Sequence, residues 1–196
     1  MAIKTEREYR KASVEFRAKE EDEQRYIVEG YATTFNDPYV LYTYDGVDYK
    51  EEVDRNALDG ADLSDIILQF DHSGMVFARM SNGTLKVEAD EKGLRVWADL
   101  SLTEDSRRLY EAIKTGLVTQ MSWAFTVEED SYNEKTHLRT LLKIRKVYDV
   151  SAVSIPANPA TDISARAYFD GVIEEQRRRD LEREKQKQRI RIKSMR

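Results

Sequence analysis

Residues 81–127 read SNGTLKVEADEKGLRVWADLSLTEDSRRLYEAIKTGLVTQMSWAFTV. Leu85-Lys86-Val87-Glu88-Ala89 alternates apolar and polar, Glu91-Lys92-Gly93 turns, and Leu94-Arg95-Val96-Trp97-Ala98-Asp99-Leu100 alternates again. A period of two puts successive side chains on opposite faces of a half-buried strand, so this is a β-meander. The period then changes. Leu102, Leu109, Ile113 and Leu117 recur at helical intervals and predict a helix over about Thr103–Thr115. Ser101 and Glu104 have capping-box spacing, and Gly116 is placed to stop the helix. Alternation resumes in a strand over about 117–127, where Met121, Trp123, Phe125 and Val127 share a face suited to a core. Gln120, Ser122, Ala124 and Thr126 share the other face, which leaves room for a peptide to approach the Ser122 hydroxyl.

Working outward, a second long strand is expected over about 139–155, joined to the first by a polar hairpin tip at Glu128–Lys135 and ended by Pro156 and Pro159. Upstream, Ser13–Arg17 reads as a first strand and Tyr26–Ala32 as another, with Gly30 marking a bulge or a close backbone approach. Asn36-Asp37-Pro38 turns, Asp45-Gly46 has hairpin chemistry, and Glu51–Leu58 continues that hairpin before a short helix or loop. Ser81-Asn82-Gly83-Thr84 reads as a two-residue turn. Many short strands with one mid-chain helix predict a mainly β, α+β protein: a closed or nearly closed β-barrel with peripheral helices. From Tyr168 the composition shifts to Glu, Arg, Lys, Gln and Ile, which divides the chain into a domain over 1–168 and a charged, helical or flexible tail over 169–196.

The 196 residues carry a net charge of −5, with 32 Lys and Arg against 37 Asp and Glu. Residues 170–196 are +4, so the remainder is −9, a balance that argues against a nucleic-acid-binding body. Arg177-Arg178-Arg179 and the run Arg189–Arg196 suggest a tail that grips polyanions, but interspersed glutamates weaken the phosphate-driven term. Zero cysteines exclude a disulfide framework and a thiol nucleophile. The two histidines, His72 and His137, lie in no ligand-spacing motif, so neither a metal nor a cofactor is expected. No apolar run approaches the roughly 20 residues of a bilayer span. MAIKTEREYRKAS lacks the apolar core of a secretory signal, so a soluble cytoplasmic protein is expected.

A hydrolase without cysteine needs a hydroxyl, a base near neutral pKa and an acid to orient it. His72 follows the apolar run Ile66–Phe70, whereas His137 sits near a polar hairpin tip, so an imidazole base would be His72. Ser122 is a candidate for the hydroxyl, although a serine in a strand is ordinarily only a hydroxyl on a pleat. Asp149 is a charge in the middle of a strand fit for burial, and a buried carboxylate needs a partner. Arg79, Arg145 and the Nδ1–H of His72 are all candidates for that partner.

The ordered segments EGYATTFND, LQFDHSGMVFAR, DSRRLYEAIKTGLVTQMSWAF and VYDVSAVSIPANP resemble the tailed-phage prohead (capsid maturation) serine protease family, related to the herpesvirus assemblins. The resemblance covers about residues 12–167 and implies an assemblin-like barrel serine endopeptidase. It implies Ser122 as nucleophile and His72 as base, with Asp149 where members commonly carry an acidic residue, often Glu. Trp123 stands in place of an expected phenylalanine and Ala124 in place of a common glycine. The implied substrates are the major capsid protein's scaffold segment or a separate scaffolding protein, and the protease itself. The implied setting is the assembling prohead in the host cytoplasm, and the implied assembly is a homodimer, with no membrane and no specific nucleic acid. A second reading is an inactive structural relative retained for capsid assembly. Oxyanion donors would come from backbone amides or Arg79.

Overall fold

The computed structural model describes residues 6–15, 17–19, 25–153 and 163–194. Eleven described strands and two helices follow the chain as β1 (Glu8–Glu15), β2 (Arg17–Lys19), β3 (Ile27–Thr34), β4 (Tyr39–Tyr44), β5 (Val47–Val53), β6 (Ile67–Phe70), β7 (Ser73–Arg79), β8 (Leu85–Ala89), β9 (Gly93–Asp99), α1 (Glu104–Lys114), β10 (Gln120–Asn133), β11 (Leu138–Val153) and α2 (Ile163–Ser194). The protein is therefore mainly β with two helices, an α+β fold.

The described strands form two sheets rather than one closed barrel, which corrects the closed-barrel expectation. The larger has the order β1-β10-β11-β5-β4, with the β6–β7 hairpin attached to β11; the smaller has the order β2-β3-β9-β8. Consecutive strands β1 and β2 belong to different sheets, so the chain passes from one to the other there. Between β7 and β8 the chain turns at Met80–Thr84, and the ladder pairs β7 with β6 and β8 with β9. Strand β11 carries β5 and then β6 along one edge, both parallel, while β10 occupies the other edge.

Local chemistry explains the boundaries. Asp45 and Gly46, with φ of 50° and 76°, close the β4–β5 hairpin, since a two-residue turn of this hand needs positive φ at both positions. Gly30 sits in regular pairing with Val96, and the bulge lies between Tyr31 and Thr33 instead. Gly93 is where backbones crowd: a Cβ there would stand 2.0 Å from the Thr33 carbonyl oxygen. Helix α1 is capped by Thr103, whose hydroxyl accepts the Ser106 N–H at 3.1 Å, two residues beyond the expected Ser101. Gly116 (φ 75°) follows its last turn. The β10–β11 hairpin runs farther than expected, to Asn133, because Glu129–Asn133 still pair with Leu138–Lys143. Strand β11 is described to Val153; Pro156 and Pro159 lie outside the described residues.

Met121, Trp123, Phe125 and Val127 all lie in the main core with Val147, Val150 and Ala152 of β11, Val96 and Ala98 of β9, and Leu109 and Ile113 of α1. Residues 163–194 form α2, which begins ahead of the expected tail boundary at 169, and in it Ile173 packs with Leu41 and Tyr49 in a small second cluster. Among the described residues no helix is long and apolar enough to cross a membrane.

Candidate active site

The site is assembled where four strands of the larger sheet lie side by side. One row of register partners is Tyr9, Ala124, Asp149 and Ile67, and the next but one is Lys11, Ser122, Ser151 and Gln69. Alternation therefore puts Ser122, Ala124, Asp149 and Ser151 on one face. The β6–β7 hairpin then supplies the histidine. Its turn has only two residues, Asp71 and His72, closed by the Phe70–Ser73 pair, and both have positive φ (47° and 54°). Asn-Gly is the inexpensive choice for such a turn; a histidine in the left-handed region is uncommon and marks a position where something other than local preference decides. The turn is pinned to β11, because Asp71 N–H donates to the Ala152 carbonyl at 3.0 Å and His72 N–H to Ser151 Oγ at 3.2 Å.

Folding thus brings together the three side chains named from sequence, which lie 50 and 77 residues from one another along the chain. His72 Nε2 is 2.6 Å from Ser122 Oγ, and His72 Nδ1 is 2.5 Å from Asp149 Oδ1. An ionised carboxylate only accepts, so the network assigns the proton to Nδ1 and leaves Nε2 free to accept from the hydroxyl. Asp149, 4% exposed, takes a second hydrogen bond on the same oxygen from Ser151 Oγ at 2.9 Å. Its partners are therefore His72 and Ser151. Arg79 instead pairs with Asp65, at the end of β7 remote from His72, and Arg145 is exposed. Arg79 is accordingly not beside the serine as an oxyanion donor.

Ser122 is not open to solvent. It is 0% exposed, against the expectation of an accessible hydroxyl. The Tyr9 ring meets the His72 ring edge-on, with centroids 4.7 Å apart, and Ser122 Oγ also lies 2.9 Å from the Arg10 carbonyl, to which it can donate. β1 is held in that place by a buried ion cluster. The Arg10 guanidinium meets Glu51 Oε1 at 2.6 Å and Glu8, and Arg139 meets Glu8, Glu51 and Asp130 at 2.7–2.8 Å. Burial alone would lower the Arg10 pKa, but the charges of Glu51 and Glu8 hold it above its ordinary value. Burial, then the Glu51 charge, pushes the Tyr39 phenol well above the usual tyrosine range, so it stays a donor to Glu51 Oε1 at 2.6 Å.

His137 lies at the β10–β11 turn (φ 50°), where its Nδ1 is 3.0 Å from the Tyr132 hydroxyl. Among the described residues no group of three or more histidine, aspartate or glutamate side chains is placed to hold a metal ion. Sequence reasoning missed Ser151, Tyr9 and Arg10. Only Ser151 left a signal, because it stands two residues from Asp149 and so shares its face.

A family model described as caudovirus prohead serine protease matches residues 12–172, most of the chain, including His72, Ser122, Asp149 and Ser151. Neither a curated protein nor a solved structure matches.

Proposed function

The chain belongs to the caudovirus prohead serine protease family, and on that premise we propose that it is a serine endopeptidase of capsid maturation. The observation that carries the reading is the continuous relay from Ser122 Oγ through His72 to Asp149 Oδ1, with links of 2.6 and 2.5 Å. Ser122 attacks the scissile carbonyl carbon while His72 Nε2 takes its proton. The tetrahedral intermediate collapses, the C–N bond breaks, and the same nitrogen returns the proton to the leaving amine. Water then hydrolyses the ester by the same exchange. Asp149 holds the imidazole in the Nδ1–H tautomer and stabilises the imidazolium that forms. Backbone amides stabilise the oxyanion.

The substrates in this reading are the scaffold segment of the major capsid protein or a separate scaffolding protein, and the protease itself. The enzyme acts inside the assembling prohead, as a homodimer, with residues 1–168 as the protease domain of assemblin-like type and 169–196 as a tail that addresses it to the shell. Intact mass of the purified chain, alone and co-expressed with its capsid protein, tests this. Discrete truncation products are expected from wild type, and none from Ser122→Ala or His72→Ala. A cleaving Ser122→Ala chain would sink the reading.

A second reading, an inactive structural relative, draws on the full burial of Ser122. It requires that no cleavage occur even with capsid protein present and the shell assembled.

A further inference from the structure

We infer that Ser151 is a positioning residue of this site: its hydroxyl locks the Asp149 carboxylate onto His72 and holds the turn that carries the imidazole. The inference takes its meaning from the serine-protease reading above, but its evidence lies in other atoms.

Ser151 is 0% exposed, and a buried hydroxyl left without partners is costly. Its bonding is directional. The His72 backbone N–H can only donate, so Ser151 Oγ accepts it, and the serine proton goes to Asp149 Oδ1. The same Oδ1 receives His72 Nδ1. A closed loop results, running from the amide of residue 72 to hydroxyl 151, carboxylate 149 and back to the imidazole of residue 72. It constrains both ends of the histidine at once.

The constraint is needed because the terminal torsion of an aspartate is broad. One hydrogen bond to an imidazole leaves the carboxylate free to swing; a second donor on the same oxygen fixes it. Aspartate is also one methylene shorter than glutamate, so from β11 it reaches a histidine only if the histidine's backbone comes close. The amide of His72 resting on Ser151 secures that approach, against the cost of positive φ at two consecutive non-glycine residues.

Ser151 makes its bonds to His72 and Asp149, so its removal acts through them and not on substrate binding. For Ser151→Ala we expect a loss of about ten- to a hundredfold in turnover, the size of a hydrogen bond to a charged group, with KM unchanged. Ser151→Thr, which keeps the hydroxyl, should recover most of it. The deciding measurement is proton NMR of the full-length chain. The Nδ1–H of His72, bonded to a carboxylate, should give a far-downfield resonance, identified by its loss in His72→Gln. That signal should vanish or move upfield in Ser151→Ala and return in Ser151→Thr, with circular dichroism showing all variants folded.

An unchanged signal in folded Ser151→Ala overturns the inference, as does its absence from wild type, since the carboxylate would then not be held on Nδ1. Should Ser151→Ala fail to fold, the Ser151→Cys variant decides: an unaltered resonance with that weak donor likewise refutes the role. Continued cleavage by Ser122→Ala beside the expected NMR pattern would overturn the protease reading alone.

Discussion

A hydroxyl has one proton to give, and Ser122 has two acceptors within reach of it: His72 Nε2 at 2.6 Å and the Arg10 carbonyl at 2.9 Å. Donation to Nε2 primes the oxygen for attack; donation to Arg10 parks it. The Tyr9 ring lies against His72, whose Nε2 meets the serine. We predict that Tyr9→Ala lowers stability by about 1 kcal/mol, the worth of an edge-to-face pair, and speeds labelling of Ser122 by a fluorophosphonate, followed by intact mass. Slower labelling would mean that the ring steadies the imidazole more than it covers the hydroxyl. His72 stood out in the sequence because only two histidines exist; alternation set Ser122 on a face apart from the core residues, but its candidate role and that of Asp149 came from the family resemblance. Tyr9 and Arg10 were not legible. Their roles depend on strand β1 lying beside β10, more than 100 residues on, and nothing local to either residue announces that pairing.

At the scale of elements, the sequence exposed what short-range chemistry controls. Alternation located β8, β9 and β10, helical spacing located α1, and Asp45-Gly46 located a hairpin. Long-range choices were hidden. The parallel seating of β5 and β6 on one edge of β11 is a non-local pairing with no turn to signal it. The two-sheet arrangement was hidden for the same reason, since the period of a strand says which face is buried but not which neighbour it meets. Glycines show the contrast well. Gly30, read as marking a bulge or a close backbone approach, lies in regular pairing beside the bulge, whereas Gly93, read as part of a turn, sits under the Thr33 carbonyl where β3 meets β9. Gly93→Ala should therefore cost at least about 3 kcal/mol, the upper range for overpacking, because the obstacle is backbone and has no rotamer to yield. Urea unfolding would measure this. A loss under 1 kcal/mol would mean that the two strands separate readily.

At the scale of the whole molecule, charge and contact divide the chain differently. The net charge of −9 outside residues 170–196 accompanies a body with a continuous core, and among the described side chains of α2 the contacts with that body come from Ile173, Arg177 and Arg179. Ile173 is buried against Leu41 and Tyr49, Arg177 donates to the Tyr44 hydroxyl, and Arg179 pairs with Glu134. From Asp180 to Arg189 every residue is exposed. Ion pairs there, Arg183 with Asp180 and Lys187 with Glu184, are internal to the helix and each worth only a few tenths of a kcal/mol. A helix of this kind has no packing to hold it, and isolated helices of such length are marginal in water. Selection for stability of the body therefore does not account for it, and the proposed address to the shell would. Deleting residues 180–196 should lower helical circular dichroism yet leave the unfolding free energy within about 0.5 kcal/mol of full length. Fluorophosphonate labelling of Ser122 should be unchanged, and incorporation into assembling proheads should fall. If the truncated chain instead loses stability, the distal helix belongs to the folded body. If it enters proheads as well as full length does, the address lies elsewhere in the chain.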